Sequence, residues 1–226
     1  MEEFFYNQAL VSILQIIAID IILGGDNAIV IALACRNLPE KQRKLGIFYG
    51  AAGAIILRVI MVFFATTLLM ISGLKLIGGI LLFWIGIKLI IDNGKENKFS
   101  IKQERNLIGA IKTIVIADFV MSLDNSVAIA AAAKGNIYIV IFGLLLSIPI
   151  IIWGSTLILK LIEKHPIIIY IGSGLMGWIG MDMVQSDIYV TTNFNILPAS
   201  EYLLPLIGGI LVIICAKFIA AKKNFN

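Results

Sequence analysis

Long apolar runs, interrupted by short basic clusters, read as helices over about 7–34, 46–70, 73–92, 107–133, 137–160, 166–184 and 202–221. A helix needs roughly 20 apolar residues to cross a hydrocarbon core about 30 Å thick, and each run comes close to that length or exceeds it. The pattern therefore predicts an all-α polytopic membrane protein with seven transmembrane helices, in one transmembrane domain that takes up nearly all 226 residues. Composition agrees with this: 60% of residues are hydrophobic and 14% charged, against about a quarter charged in soluble domains, and the mean hydropathy is +0.99. A soluble enzyme, a nucleic-acid binder and a receptor with a large ectodomain are excluded, and the first partner is the lipid bilayer. The opening MEEFFYNQ lacks a basic n-region and a small-residue cleavage site, so the first helix is expected to stay in the mature protein.

The net charge of +4 would suggest a polyanion partner in a soluble protein. Here it sets topology instead. Arg36, Lys41, Arg43 and Lys44, then Lys95, Lys98, Lys102 and Arg105, then Lys160 and Lys164, and finally Lys217, Lys222 and Lys223 fall on one side of the predicted spans, with only Lys75 and Lys134 on the other. Bases collect in cytoplasmic loops, so the N-terminus is expected outside and the C-terminus in the cytoplasm. The two cysteines, Cys35 and Cys215, give no disulfide framework, and the single His165 excludes a clustered His/Cys metal site.

Two internal matches divide the chain. Asp20 through Asp26-Asn27 in the first helix repeats as Asp118 through Asp124-Asn125 in the fourth, an Asp-x5-Asp-Asn pattern offset by 98 residues. Gly78 through Trp84-Ile85-Gly86 in the third helix repeats as Gly172 through Trp178-Ile179-Gly180 in the sixth, offset by 94. Helices 1–3 (about 7–92) and 4–6 (about 107–184) are read as repeats joined by a cytoplasmic loop at about 93–106, with the helix at 202–221 outside the duplication. Each repeat has an odd number of spans, so the second is expected upside down, the plan of transporters whose sites lie where inverted repeats meet.

An aspartate at a helix centre costs about 2.5–3.5 kcal/mol on the insertion scale, and here there are four: Asp20, Asp26, Asp118 and Asp124. They are tolerable only if they face the interior, bind cations or take up protons. At 100° per residue, Asp20 shares a face with Asn27 and Asp118 with Asn125, while the i+6 aspartates lie about 120° away. Gly24-Gly25 offers a place for the first helix to break or bulge, and the second motif offers only Ser122. Two inverted motifs with two carboxylates and a carboxamide each make a hard, oxygen-rich site suited to Mn²⁺, Ca²⁺ or Mg²⁺, and less to Zn²⁺ or Cu⁺. Met121 is either a thioether ligand or packing. Arg58, inside the second helix, is either a counter-ion that yields to the metal or a permanent ion pair. Asp182 reads as an interfacial carboxylate, His165 as a helix-boundary residue, and Gly50, Gly53, Gly143, Gly172 and Gly174 as close helix contacts.

The stretches GGDNAIVIALACRNLP and DFVMSLDNSVAIAAAAKGN, with the WIG-containing helices that follow, resemble the TerC family of integral membrane proteins, named for tellurite resistance and linked to manganese export. The resemblance covers nearly the whole chain. It implies a Mn²⁺ efflux transporter of the bacterial cytoplasmic membrane, not an enzyme, with Asp20, Asp26, Asn27, Asp118, Asp124 and Asn125 as metal positions and no cofactor besides the transported ion. Four carboxylates would repel the tellurite oxyanion. Proton antiport is expected, because burial and mutual repulsion prevent all four from staying ionised without a cation. A membrane accessory factor supporting metal-dependent exoenzymes or protein insertion is the alternative reading, with an intramembrane hydrolase as a weaker third. The sequence leaves the oligomeric state open, a homo-oligomer included.

Overall fold

A computed structural model of the chain describes residues 2–93, 106–194 and 200–224. Every regular element among them is a helix: α1 (Glu2–Leu23), α2 (Gly25–Cys35), α3 (Glu40–Leu69), α4 (Leu74–Asn93), α5 (Leu107–Ala132), α6 (Ile137–Lys164), α7 (Ile167–Gln185), α8 (Ile188–Asn193) and α9 (Ser200–Asn224). Six of these are each long and apolar enough to cross a membrane, and α1 with α2, bent by 51°, makes a seventh span when taken together. The seven expected runs are all present. The short α8 was not expected, and Lys95, Lys98, Lys102 and Arg105 lie outside the described residues. Phe63, Trp153, Tyr202 and Phe218 are among many large apolar side chains left exposed, as befits a surface solvated by lipid rather than water.

Polar contacts at the helix ends show which ends lie together. Arg43 at the start of α3 pairs with Glu163 at the end of α6, 2.7 Å apart. Arg36, just beyond α2, donates to the carbonyl of Leu89 near the end of α4. At the opposite end, the Asp187 carboxylate accepts from the Gly73 and Leu76 amides at 3.0 and 3.2 Å, joining the α7–α8 link to the α3–α4 turn. Gly73 makes that turn with φ +86°, a left-handed conformation cheap only for glycine. Consecutive spans therefore alternate, and α5 runs opposite to the first span.

Packing repeats the same two-fold relation. α3 packs on α5 while α6 packs on α1 and α2, and α4 crosses α7. Ile114 of α5 fills the space at Gly50 of α3, as Ile16 of α1 fills that at Gly143 of α6. The isoleucines are 98 residues apart, the motif offset, and both are fully buried. At the α4–α7 crossing the backbones nearly touch, since a Cβ on Gly180 would sit 2.8 Å from the Gly79 carbonyl oxygen. Such close approach is how small residues hold helices together without a hydrophobic drive. α9 lies outside this pairing, against α7 and α4.

Candidate ion site

The first acidic motif lies across a break. α1 ends at Leu23, Gly24 leaves helical geometry at φ −109° and ψ 9°, and α2 starts at Gly25. Glycine is required at position 24 because a Cβ there would collide with the Asp20 carbonyl and lie 3.0 Å from the Asn27 Nδ2. At Gly25 it would meet nothing within 4 Å. The break folds the Asp20 and Asn27 side chains toward each other. The second motif has no such break, and α5 continues through Asp118, Asp124 and Asn125.

Opposite the break stands Arg58 of α3, 1% exposed. Its two terminal nitrogens bind Asp20 and Asp118, one carboxylate from each motif. Its Nε donates to Ser122 Oγ at 2.9 Å, and Ser122 Oγ in turn donates to Asp118 Oδ2 at 3.3 Å. Two carboxylates against one guanidinium leave one formal negative charge in a buried place. A planar fork bridges two carboxylates where a lysine could not.

The centre is not fully satisfied. Asp20 Oδ2, Asp26 Oδ1 and both polar atoms of the Asn27 amide are buried without a hydrogen-bond partner. Buried polar atoms are nearly always partnered, by protein or by ordered water, so this group at one helix break is free to accept a ligand or water. Three of its four atoms are oxygens, the donors that Mn²⁺, Ca²⁺ and Mg²⁺ take.

Asp124 stands apart. Continuous helix turns it about 120° from Asp118, and it pairs with Lys75 of α4 at 2.6 Å, its side chain 53% exposed. Asn125, one residue on, is half-buried. The structure thus brings Asp20 and Asp118 together on Arg58, places Asp26 and Asn27 beside them and leaves Asp124 outside. Among the described residues, no three His, Cys, Asp or Glu side chains are grouped so as to hold a metal ion. Between the two motifs the positive charge is that of Arg58.

The family model for the integral membrane protein TerC family matches residues 5–224. The chain belongs to the TerC family. It is 43% identical to the uncharacterized membrane protein YjbE of Bacillus subtilis (strain 168), over 92% of this chain and 94% of that one. It is 24% identical to the uncharacterized membrane protein YkoY of the same organism, over 94% and 72%, and 23% identical to the UPF0053 inner membrane protein YgdQ of Escherichia coli (strain K12), over 78% and 81%. No solved structure matches it.

In this TerC chain the remaining candidates take no recorded part in the Arg58 centre. Met121 is buried in the apolar core. His165 is exposed at the end of α6, and Asp182 is exposed and accepts from Gln185 Nε2 at 2.9 Å. Two residues escaped sequence reasoning. Ser122 was weighed only as a weak point in the helix, although its place four residues after Asp118 puts it on the same face. Asp187 is the other: it directly precedes α8 and accepts from the Tyr189 amide as an ordinary N-cap.

Proposed function

We propose that this TerC-family chain is a divalent-cation efflux transporter that carries Mn²⁺ out across the cytoplasmic membrane in exchange for protons. The observation that carries the reading is the set of unpartnered buried oxygens on Asp20, Asp26 and Asn27, beside two carboxylates held by one arginine. Arg58 is a tethered stand-in for the ion. It neutralises Asp20 and Asp118 while the site is empty, then withdraws when a cation with more charge and no tether arrives. The all-oxygen donor set favours Mn²⁺, Mg²⁺ and Ca²⁺ over Zn²⁺, which prefers sulfur and nitrogen.

The end of the bundle carrying Arg36, Lys41, Arg43, Lys44, Lys160 and Lys164 is the cytoplasmic one by its bases, so the N-terminus is outside and the C-terminus inside. Protons taken up from the outer side neutralise the carboxylates that have given up the ion, and the inward proton gradient drives the cycle. No step needs a nucleophile, so the chain is not an enzyme. The test is ion flux in proteoliposomes holding the purified full chain, with Mn²⁺, Ca²⁺, Mg²⁺ and Zn²⁺ in turn. Wild type should move Mn²⁺ and respond to an imposed pH gradient, and D20N, D26N and D118N should not move it. Equal flux in wild type and all three variants overturns the reading.

A further inference from the structure

Asp26 and Asp124 occupy equivalent places in the two motifs, 98 residues apart, yet their surroundings differ. Asp26 follows the break at Gly24, and its Oδ1 is buried and unpartnered. Asp124 lies on an unbroken helix, half-exposed and bound to Lys75. Lys75 has no counterpart in the other half. At the 94-residue offset relating α4 to α7, its equivalent is Ile169, which is buried and apolar. One motif is bent at Gly24 and leaves a buried Asp26 oxygen unpartnered, while the other is straight and held by a cation that the duplication did not copy.

Lys75 is also held in place. It lies in the first turn of α4, and the Asp187 carboxylate accepts from Gly73 and Leu76 on either side of it. Asp187 itself is 1% exposed. The Lys75 side chain is 19% exposed, so its pair with Asp124 is better shielded from water than one between two fully exposed surface chains.

We infer that Lys75 is a latch: it holds Asp124 away from the ion site, and Asp124 joins the ion only when the ion takes it from Lys75. This rests on the ion-transport reading above. Lys75 is a positioning residue that competes with the ion for one carboxylate. Its removal therefore strengthens ion binding, whereas loss of a merely structural ion pair would weaken it.

The experiment is calorimetric titration of MnCl₂ into the full chain in lipid nanodiscs, alongside thermal unfolding of each variant. K75Q and K75M should bind Mn²⁺ about three- to five-fold more tightly than wild type, the worth of a half-exposed competing ion pair. K75R should return the affinity to that of wild type, and D187N, which loosens the anchor, should fall between. Unchanged or weaker binding in K75Q and K75M overturns the latch. If D20N and D118N lose Mn²⁺ while K75Q binds as wild type does, the latch alone fails and the ion site stands. No Mn²⁺ binding by wild type overturns both.

Discussion

Removing the Arg58 guanidinium strands two carboxylates, because Asp20 and Asp118 are 1% and 4% exposed and water cannot take its place. Breaking a buried ion pair by deleting one partner costs about 3–5 kcal/mol. In a chain of this size each kcal/mol lowers Tm by about 2–4 °C, so R58Q should unfold roughly 6–20 °C below wild type when EDTA keeps metal away. Mn²⁺ brings two positive charges to the same carboxylates, so it should restore most of the loss in R58Q and raise Tm less in wild type. R58K should fall between, since one ammonium cannot span both carboxylates and Ser122 at once. The assay is thermal unfolding in nanodiscs at neutral pH, with EDTA and with Mn²⁺. An R58Q protein that unfolds with wild type in EDTA would refute the buried network. An equal drop with and without Mn²⁺ would show that the ion and the guanidinium do not share these carboxylates.

At the helix break, G24A should abolish Mn²⁺ flux in proteoliposomes while G25A keeps it, because only the first Cβ meets the Asp20 carbonyl and the Asn27 amide. Equal flux in the two variants would separate the break from transport. Cysteines placed at Glu40 and Lys164 should react with an impermeant thiol reagent from one side and one at Lys134 from the other, since Arg43–Glu163 joins the first pair of ends. Burial raises the Asp187 carboxyl, but the amides of Tyr189, Leu76 and Gly73 outweigh it and hold the group below its ordinary value. A lowered carboxyl stabilises the fold fully above the ordinary value near about 4 and loses that contribution as pH falls through the lower folded value. D187N should therefore lower stability at pH 7 and flatten its fall below about pH 4, and an unflattened acid limb would assign that fall to other groups.

Much of this architecture is legible in the chain because a membrane imposes coarse rules. A run of apolar residues has to be a helix, so the spans could be read from length, and the repeated Asp-x5-Asp-Asn marked the inverted halves before any contact was known. The Gly24 break was legible too, since two adjacent glycines beside a buried carboxylate have few other uses. Side-chain partnership was legible only in part: Arg58 reads as a counter-ion, but which carboxylates it meets does not follow from the sequence. Whether Arg58 faces Asp20 depends on how α3 is rotated against α1, and nothing local sets that angle. The capture of Asp124 by Lys75 was hidden for a related reason: the two residues are far apart in sequence and meet only because Asp187, on a third element, anchors the first turn of α4.

The repeats agree in backbone plan and disagree in charge, and the disagreement has a direction. A strictly symmetric pair of motifs would place four carboxylates around one point, which no buried site tolerates without a cation. Here one cation from α3 sits between the motifs and another from α4 draws one carboxylate away, so the resting site carries two ion-paired carboxylates and one that is unpaired at Oδ1. Both basic side chains belong to the first half of the chain, and their equivalents in the second half are apolar: Ile151 at the 93-residue offset that relates Gly50 to Gly143, and Ile169 at 94. Under the proposed transport reading, the first repeat would supply the charges that stand in for the ion, and the second a carboxylate that has to be won. An ion arriving at Asp26 and Asn27 would then meet unpartnered oxygens first, displace Arg58 next and recruit Asp124 last. That order runs from the broken helix toward the straight one.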